Sequence, residues 1–252
     1  MNIKENIIVI GIGGCSRSGK GLLASELINQ YKKLSKTNYF SDICEVMNLD
    51  DYASYQKVMQ NKVKTSLGNI YENWEFPGSL EWDSFYQNIK SKLKDMNSKL
   101  QKDNQNRNKK GILILEGFLI FSPVMRRPTV ENEYLNLFDI FIFISLDKSI
   151  AKMRRMKTTR VPDDYYEDIL WPEYIKNCSK YIDYFIYQKN NKKNVLVING
   201  NKQYDIKKTA VCILKWMNAI NNDILVDKNM YNDMFIAFDK QIDLIKGSLS
   251  SK

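Results

Sequence analysis

The stretch Ile7 to Ala24 reads IIVIGIGGCSRSGKGLLA, and its order of elements decides the fold. The apolar, largely β-branched run Ile7 to Ile12 reads as a buried strand, a glycine-rich turn follows, and Leu22, Leu23, Leu27 and Ile28 begin a helix. From Gly14 to Lys20 the spacing is G-x-x-x-x-G-K. In such a turn, glycines let consecutive backbone N–H groups curl around an anion while the lysine reaches the terminal phosphates. A helix starting near Gly19 adds the positive end of its dipole. The competing reading is a purely structural strand-to-helix turn, and the placement of Gly14, Gly19 and Lys20 between strand and helix favours phosphate binding. One position breaks the pattern: Gly21 stands where a magnesium-ligating Ser or Thr belongs, and Leu22 offers no hydroxyl either. The nucleotide site is expected to comprise Gly14, Cys15, Ser16, Arg17, Ser18, Gly19, Lys20, Gly21 and Leu22.

Around this stretch, 252 residues with 44% hydrophobic and 27% charged content suit one α/β domain with additions. The domain is expected over 1–222, with a helical extension over 223–252. The apolar runs are too short to span a membrane, and MNIKENIIVIGI lacks a signal peptide's long apolar core, so a cytoplasmic protein without membrane partners is expected. Four scattered cysteines without a C-x-x-C pair, and no histidine, argue against zinc sites and histidine catalysis. The net charge of +9 invites a nucleic-acid reading. Its distribution argues against one, since many lysines sit beside asparagines in Lys90 to Lys110 and Lys189 to Asn194, without a groove of interleaved aromatics.

Further along, Ile43 to Leu49 reads as a second strand ending on Asp50-Asp51. Acids at the carboxyl end of a parallel strand sit where open α/β sheets place ligands, although an N-cap accounts for Asp equally simply. A carboxylate there can take the proton of a hydroxyl attacking a γ-phosphate. Ala53 to Asn73 is polar and mixed and leads to Trp74-Glu75-Phe76-Pro77-Gly78, where an aromatic beside a carboxylate suits a nucleoside and Trp74 suits a core equally well. Glu81 to Leu100 has helical spacing, and Gly111 to Ile120 reads as a third strand interrupted by Glu116-Gly117. A carboxylate ending an apolar strand has a desolvation cost that Mg²⁺, or a water on it, would justify. Asp139 to Leu146 is the fourth strand, and Lys148 to Arg160 is a cation-rich helix. With Val161 to Trp171 it reads as a lid over about 153–171, whose arginines face a transferring phosphoryl group. Pro172 is expected to open a helix through Tyr187, Val195 to Ile198 to be the fifth strand, and Asn201 in the next turn to lie toward an adenine. Helices over Ile206 to Ile220 and Tyr231 to Ile245 complete the reading.

Taken together, GIGGCSRSGK, Asp50-Asp51, NWEFPGSLEWDSF, ILILEGFLIF, RRMKTTRVP with DILWPEYIK, and VINGNK resemble, in this order, the nicotinamide riboside kinases of the uridine kinase-like branch of phosphate-loop nucleoside kinases. The resemblance runs from about Ile7 to Lys202. It implies a P-loop NTPase three-layer α/β sandwich with a five-stranded parallel sheet and a helical lid, using ATP and Mg²⁺ on a small-molecule nucleoside, as a monomer or homodimer. By position it implies that Lys20 holds the ATP phosphates, Asp50 is the base toward the ribose 5′-hydroxyl, and Glu116 serves the Mg²⁺ shell together with Asp50. Trp74 would stack on the base and Glu75 bind the ribose hydroxyls, with Asp51 in the substrate site and Arg155 and Arg160 at lid positions.

Three departures accompany the resemblance. Gly21 replaces the metal-ligating hydroxyl, as in adenylate kinases, which carry a similar Gly. Glu75 replaces Asp and so shifts the carboxylate by ~1.5 Å. Pro162 stands where a second stacking aromatic is expected, leaving Tyr165 or Tyr166 to substitute. The expected reaction is phosphorylation of a ribonucleoside 5′-hydroxyl, of nicotinamide riboside first and uridine or cytidine second. The competing expectation is a catalytically weak nucleotide-binding protein.

Overall fold

The computed structural model describes residues 4, 6–34, 40–102, 109–125, 128–158, 161–178, 194–201 and 205–221. Arg160, the end of the helix expected through Tyr187 and the helix expected over Tyr231 to Ile245 lie outside them. The chain runs β1 (Ile7–Gly14), α1 (Lys20–Leu34), β2 (Phe40–Asn48), a 3₁₀ turn (Leu49–Tyr52), α2 (Tyr55–Gln60), β3 (Lys62–Lys64), β4 (Ile70–Glu72) and α3 (Trp82–Lys102). It continues with β5 (Lys110–Glu116), α4 (Pro128–Leu135), β6 (Ile140–Ser145), α5 (Lys148–Thr158), α6 (Asp163–Tyr165), a π turn (Tyr166–Leu170), α7 over 171–178, β7 (Asn194–Asn199) and α8 (Ile206–Asn221).

Five parallel strands form one sheet in the order β2-β5-β1-β6-β7. With helices on both faces this is the three-layer α/β sandwich of P-loop NTPases. The inner strands β5, β1 and β6 carry continuous apolar runs because both faces are covered, whereas the edge strand β2, FSDICEVMN, is mixed and partly exposed. Alternation divides them cleanly: Ile7 and Val9 of β1, Leu113 and Leu115 of β5, and Phe141 and Phe143 of β6 join α3 on one face. Ile8, Ile10 and Ile12, with Ile112, Ile114, Ile140, Ile142 and Ile144, join α1 and α8 on the other. The period-2 side-chain direction of a strand thus builds two cores from one sheet. On the first face the rings of Phe121 and Phe138 pack directly on Gly11, where a Cβ would displace them.

Three expectations change. The third strand stops at Glu116, because Gly117 packs on Leu49, a built Cβ falling 2.6 Å from the leucine's own, and Leu119, Ile120 and Phe121 are buried as a turn. Within Ala53 to Asn73 lie α2 and the antiparallel hairpin of β3 and β4. Pro172 does stand in the first turn of α7, but that helix follows directly on the π turn instead of starting from a loop. Proline lacks an N–H and its ring crowds the carbonyl a turn earlier, and the wider turn over Tyr166–Leu170 accommodates it. The same region bears on the expected lid. Thr158 at the end of α5 lines the central cavity, whereas Tyr165, Tyr166, Ile169, Leu170 and Trp171 are buried in the core on the α3 side.

Candidate active site

β1 ends in a loop that needs unusual backbone angles. Gly14 has φ +142° and Gly19 φ +101°, and Arg17 takes the left-handed region at φ 64°. At Gly14 a Cβ would stand 2.5 Å from the Ile144 carbonyl oxygen, so a side chain is excluded by contact as well as by torsion. The loop closes with Ser18 N–H donating to the Cys15 carbonyl at 3.1 Å and leads into α1. Lys20 is buried and donates from Nζ to the same Cys15 carbonyl at 2.9 Å, folding the side chain back across the loop. A loop of these backbone angles at a helix start, with a lysine folded across it, has the form of an anion cradle.

A cavity of about 610 Å³ opens on this loop, lined by Ser16, Arg17, Gly19, Lys20, Gly21 and Leu22, by Asp50 and Glu116 at the ends of β2 and β5, and by Arg154, Arg155, Lys157 and Thr158 of α5. The expected phosphate-loop residues divide: Cys15 and Ser18 are buried and are not part of that lining, nor is Gly14. Burial pushes the Cys15 thiol up to about 11, only partly offset by Lys20 and Arg154, so it is no thiolate at neutral pH. Arg155 reaches over the loop, donating from one terminal nitrogen to Ser16 Oγ at 2.8 Å, while its buried Nε has no hydrogen-bond partner. Arg154 instead donates to the Gly200 carbonyl at 2.7 Å.

The acids are arranged around Lys20. Asp50 follows Asn48, whose side-chain oxygen caps the 3₁₀ turn by accepting from Asp50 N–H at 2.9 Å. Burial holds the Asp50 carboxyl above its usual range, opposed by Lys20 and reinforced by Asp51. Burial also raises Glu116, with Lys20 pulling it back and Asp50 and Asp51 pushing it up. Asp51 itself lines a second groove, of about 480 Å³, with Tyr52, Asn88 and Lys92, and is absent from the lining of the phosphate cavity.

Glu75 lies deepest. It is 7% exposed, and burial lifts its carboxyl from 4.5 to about 7 against the pull of Arg155 and Lys20. Asp50 and Glu173 face it as further negative groups. Among the described residues no hydrogen bond or ion pair reaches its carboxylate. Trp74, beside it, points outward at 41% exposure against the ring of Tyr55, 6.1 Å away. Of the aromatics considered as substitutes at Pro162, Tyr166 is buried against Trp171, whereas Tyr165 faces Glu75 and Arg155. Asn201 is engaged structurally, its side-chain oxygen accepting from Asp147 N–H at 2.8 Å, and it does not line the cavity. Thr158 and Glu173 fall inside the RRMKTTRVP and DILWPEYIK segments, where the arginines carry the reading and these two residues are not singled out.

No three acidic or thiol groups among the described residues could hold a metal by themselves. Mg²⁺ does not need them, since it is bound through one or two carboxylates plus substrate phosphates and water. Asp50 and Glu116, both lining the cavity beside Lys20, fit that role. At Gly21 a Cβ would meet only the Glu116 Oε1, at 3.5 Å, so the place of the missing hydroxyl is open and adjoins that carboxylate.

The sheet order and the loop after β1 are those of a P-loop protein. Its curated relatives are kinases. The chain is 26% identical over 220 residues to the uridine kinase of Serratia proteamaculans (strain 568), covering 82% of this chain and 92% of that protein. It is likewise 26% identical to the uridine kinase of Yersinia enterocolitica and 25% identical to that of Yersinia pestis, with the same coverage. No family model matches the chain. Among solved structures, shikimate kinase from Bacteroides thetaiotaomicron aligns with a TM-score of 0.38 and 10% identity, over 84% of this chain and 98% of that one.

Proposed function

We propose that the protein transfers the γ-phosphoryl group of ATP to the 5′-hydroxyl of a ribonucleoside. The observation that carries this reading is the buried Glu75 carboxylate, to which no hydrogen bond is made among the described residues, facing Arg155, Lys20 and Asp50. A buried carboxylate without donors is costly, and a vicinal diol of a sugar would supply two. The phosphate loop and α5 then take the triphosphate, and Asp50 lies between the two.

In this mechanism Lys20 and Arg155 neutralise charge on the transferring group, Arg155 through a planar fork that suits phosphate oxygens. Its contact with Ser16 and its partnerless Nε leave it poised over the loop. Asp50, exposed to the cavity it lines, accepts the hydroxyl proton. Asp50 and Glu116 would hold Mg²⁺, which would supply further neutralisation of phosphate charge. Burial of Glu75 and Tyr165 keeps water from the sugar side.

Nicotinamide riboside is the first substrate, on the strength of the NWEFPGSLEWDSF and TTRVP segments, with Trp74 as the surface for the base. The likeness to uridine kinases favours a pyrimidine nucleoside as the second reading. A nucleoside panel with γ-labelled ATP decides between them: the expected result is one strongly labelled 5′-monophosphate. ATP binding with no labelled nucleoside would overturn the kinase reading and leave a nucleotide-binding protein.

A further inference from the structure

Residues 163–168 read DDYYED, so four acids fall in two pairs four residues apart, Asp163 with Glu167 and Asp164 with Asp168. On a helical segment such pairs share a face. The two faces serve different partners. Asp163 and Glu167 hold the lysines of α5: Lys152 Nζ lies 3.2 Å from Asp163 and 2.7 Å from Glu167, and Lys148 Nζ 2.5 Å from Glu167. Asp164 and Asp168 hold the β3–β4 hairpin. The Asp164 carboxylate accepts from Thr65 Oγ1 at 2.8 Å, Asn69 Nδ2 at 2.9 Å and Tyr71 OH at 3.1 Å. Asp168 accepts from the Ser66 N–H and hydroxyl, both at 2.7 Å.

Apart from these bonds, Val63 and Tyr71 pack on the core while the rest of the hairpin stands at the surface. Its strands are three residues each, Leu67 and Ile70 are 76% and 65% exposed, and an isolated two-stranded hairpin is marginal in water. What it carries lies just beyond β4. The Tyr71 ring meets the Tyr165 ring edge-on at 5.4 Å, and the Tyr165 phenol in turn faces the Trp74 main chain, Glu75 and Arg155. Asp164 is thus connected to the sugar side of the site through the hairpin without lining the phosphate cavity.

We propose that Asp164, assisted by Asp168, is a positioning residue that fixes the hairpin and with it Trp74 and Glu75, so that it governs nucleoside binding separately from ATP binding. This rests on the nucleoside reading of the Glu75 pocket. The alternating acids put the sugar side and the arginine-bearing helix under separate control from one short segment.

The test compares Asp164→Ala, Asp164→Asn and Glu167→Gln in steady-state kinetics and in amide hydrogen exchange of residues 62–72. Asp164→Ala is expected to raise the nucleoside KM about tenfold, to leave the ATP KM within about twofold and to speed exchange in the hairpin. Asp164→Asn, which keeps one acceptor, recovers part of both effects, and Glu167→Gln moves the ATP KM instead. Equal increases in both KM values, or unchanged hairpin exchange, would overturn the proposal. If the wild-type protein phosphorylates no nucleoside, the exchange measurement still decides whether Asp164 holds the hairpin, while the nucleoside reading fails by itself. Should Asp164→Ala not fold, Tyr71→Phe and Thr65→Val remove single donors and carry the same comparison.

Discussion

Glu75→Gln separates the stability cost of the site from its chemistry. In the folded protein the Glu75 carboxyl titrates near 7, raised from 4.5 chiefly by burial. Between those two values the folded chain keeps a proton that the unfolded chain has released, so stability falls as pH rises through that window and stays low above it. At about 1.36 kcal/mol per unit, the full cost above pH 7 is about 3 kcal/mol. Glutamine has no charge to bury, so the variant escapes this loss. For a chain of this size about 3 kcal/mol corresponds to roughly 6–12 °C in melting temperature. Thermal unfolding of both proteins at about pH 5 and about pH 8.5 reads the effect directly, because any pH-independent difference between glutamine and a neutral carboxyl cancels. The variant should gain on the wild type by that amount at the higher pH while losing nucleoside phosphorylation. Parallel melting curves, with the same gap at both pH values, would refute the burial argument and with it the reading of Glu75 as a charge held for a ligand.

Asp50→Asn should keep ATP affinity within about twofold and lower the transfer rate by ~10²–10⁴, measured by label transfer against nucleotide titration. Loss of both together would discredit Asp50 as the base. Gly21→Ser places a hydroxyl beside Glu116, where a Cβ has 3.5 Å of clearance, and should lower the Mg²⁺ concentration needed for half-maximal ATP binding. No change in that dependence would count against the metal lying there. Gly14→Ala, at φ +142° and against the Ile144 carbonyl, should cost about 1–3 kcal/mol in denaturant unfolding, and an unperturbed midpoint would contradict the close approach.

What could be read from residues alone follows from how strongly each pattern constrains the backbone. The five parallel strands were legible because strands buried on both faces must be apolar throughout, and Gly14, Gly19 and Lys20 because a phosphate cradle needs those residues at that spacing. Apolar content does not separate a strand from a buried turn, which is why Leu119 and Ile120 were taken into the third strand. The hairpin has no such signal because three-residue strands have no periodicity to detect, and the acids that hydrogen-bond it lie a hundred residues away. Pro172 marks a helix start as a local signal and stands in the first turn of α7, whereas nothing local announces the π turn before it. Asp50, Glu116 and Arg155 were chosen singly and share one cavity, whereas Asp51 was chosen as Asp50's neighbour and lines another groove.

The strand order also has a consequence for synthesis. β1 lies at the centre of the sheet, and both of its neighbours come late: Ile7 pairs with Gly111 and Ile10 with Ile140. Until residues 110–145 have left the ribosome, IIVIGIGG has no strand on either side, and the loop after it has no Ile144 carbonyl to shape Gly14. Closing such long loops is slow. A nascent chain truncated before β5 would therefore present an adhesive apolar segment to chaperones and gain nothing from ATP, and nucleotide could begin to protect the chain only once the centre of the sheet had been completed.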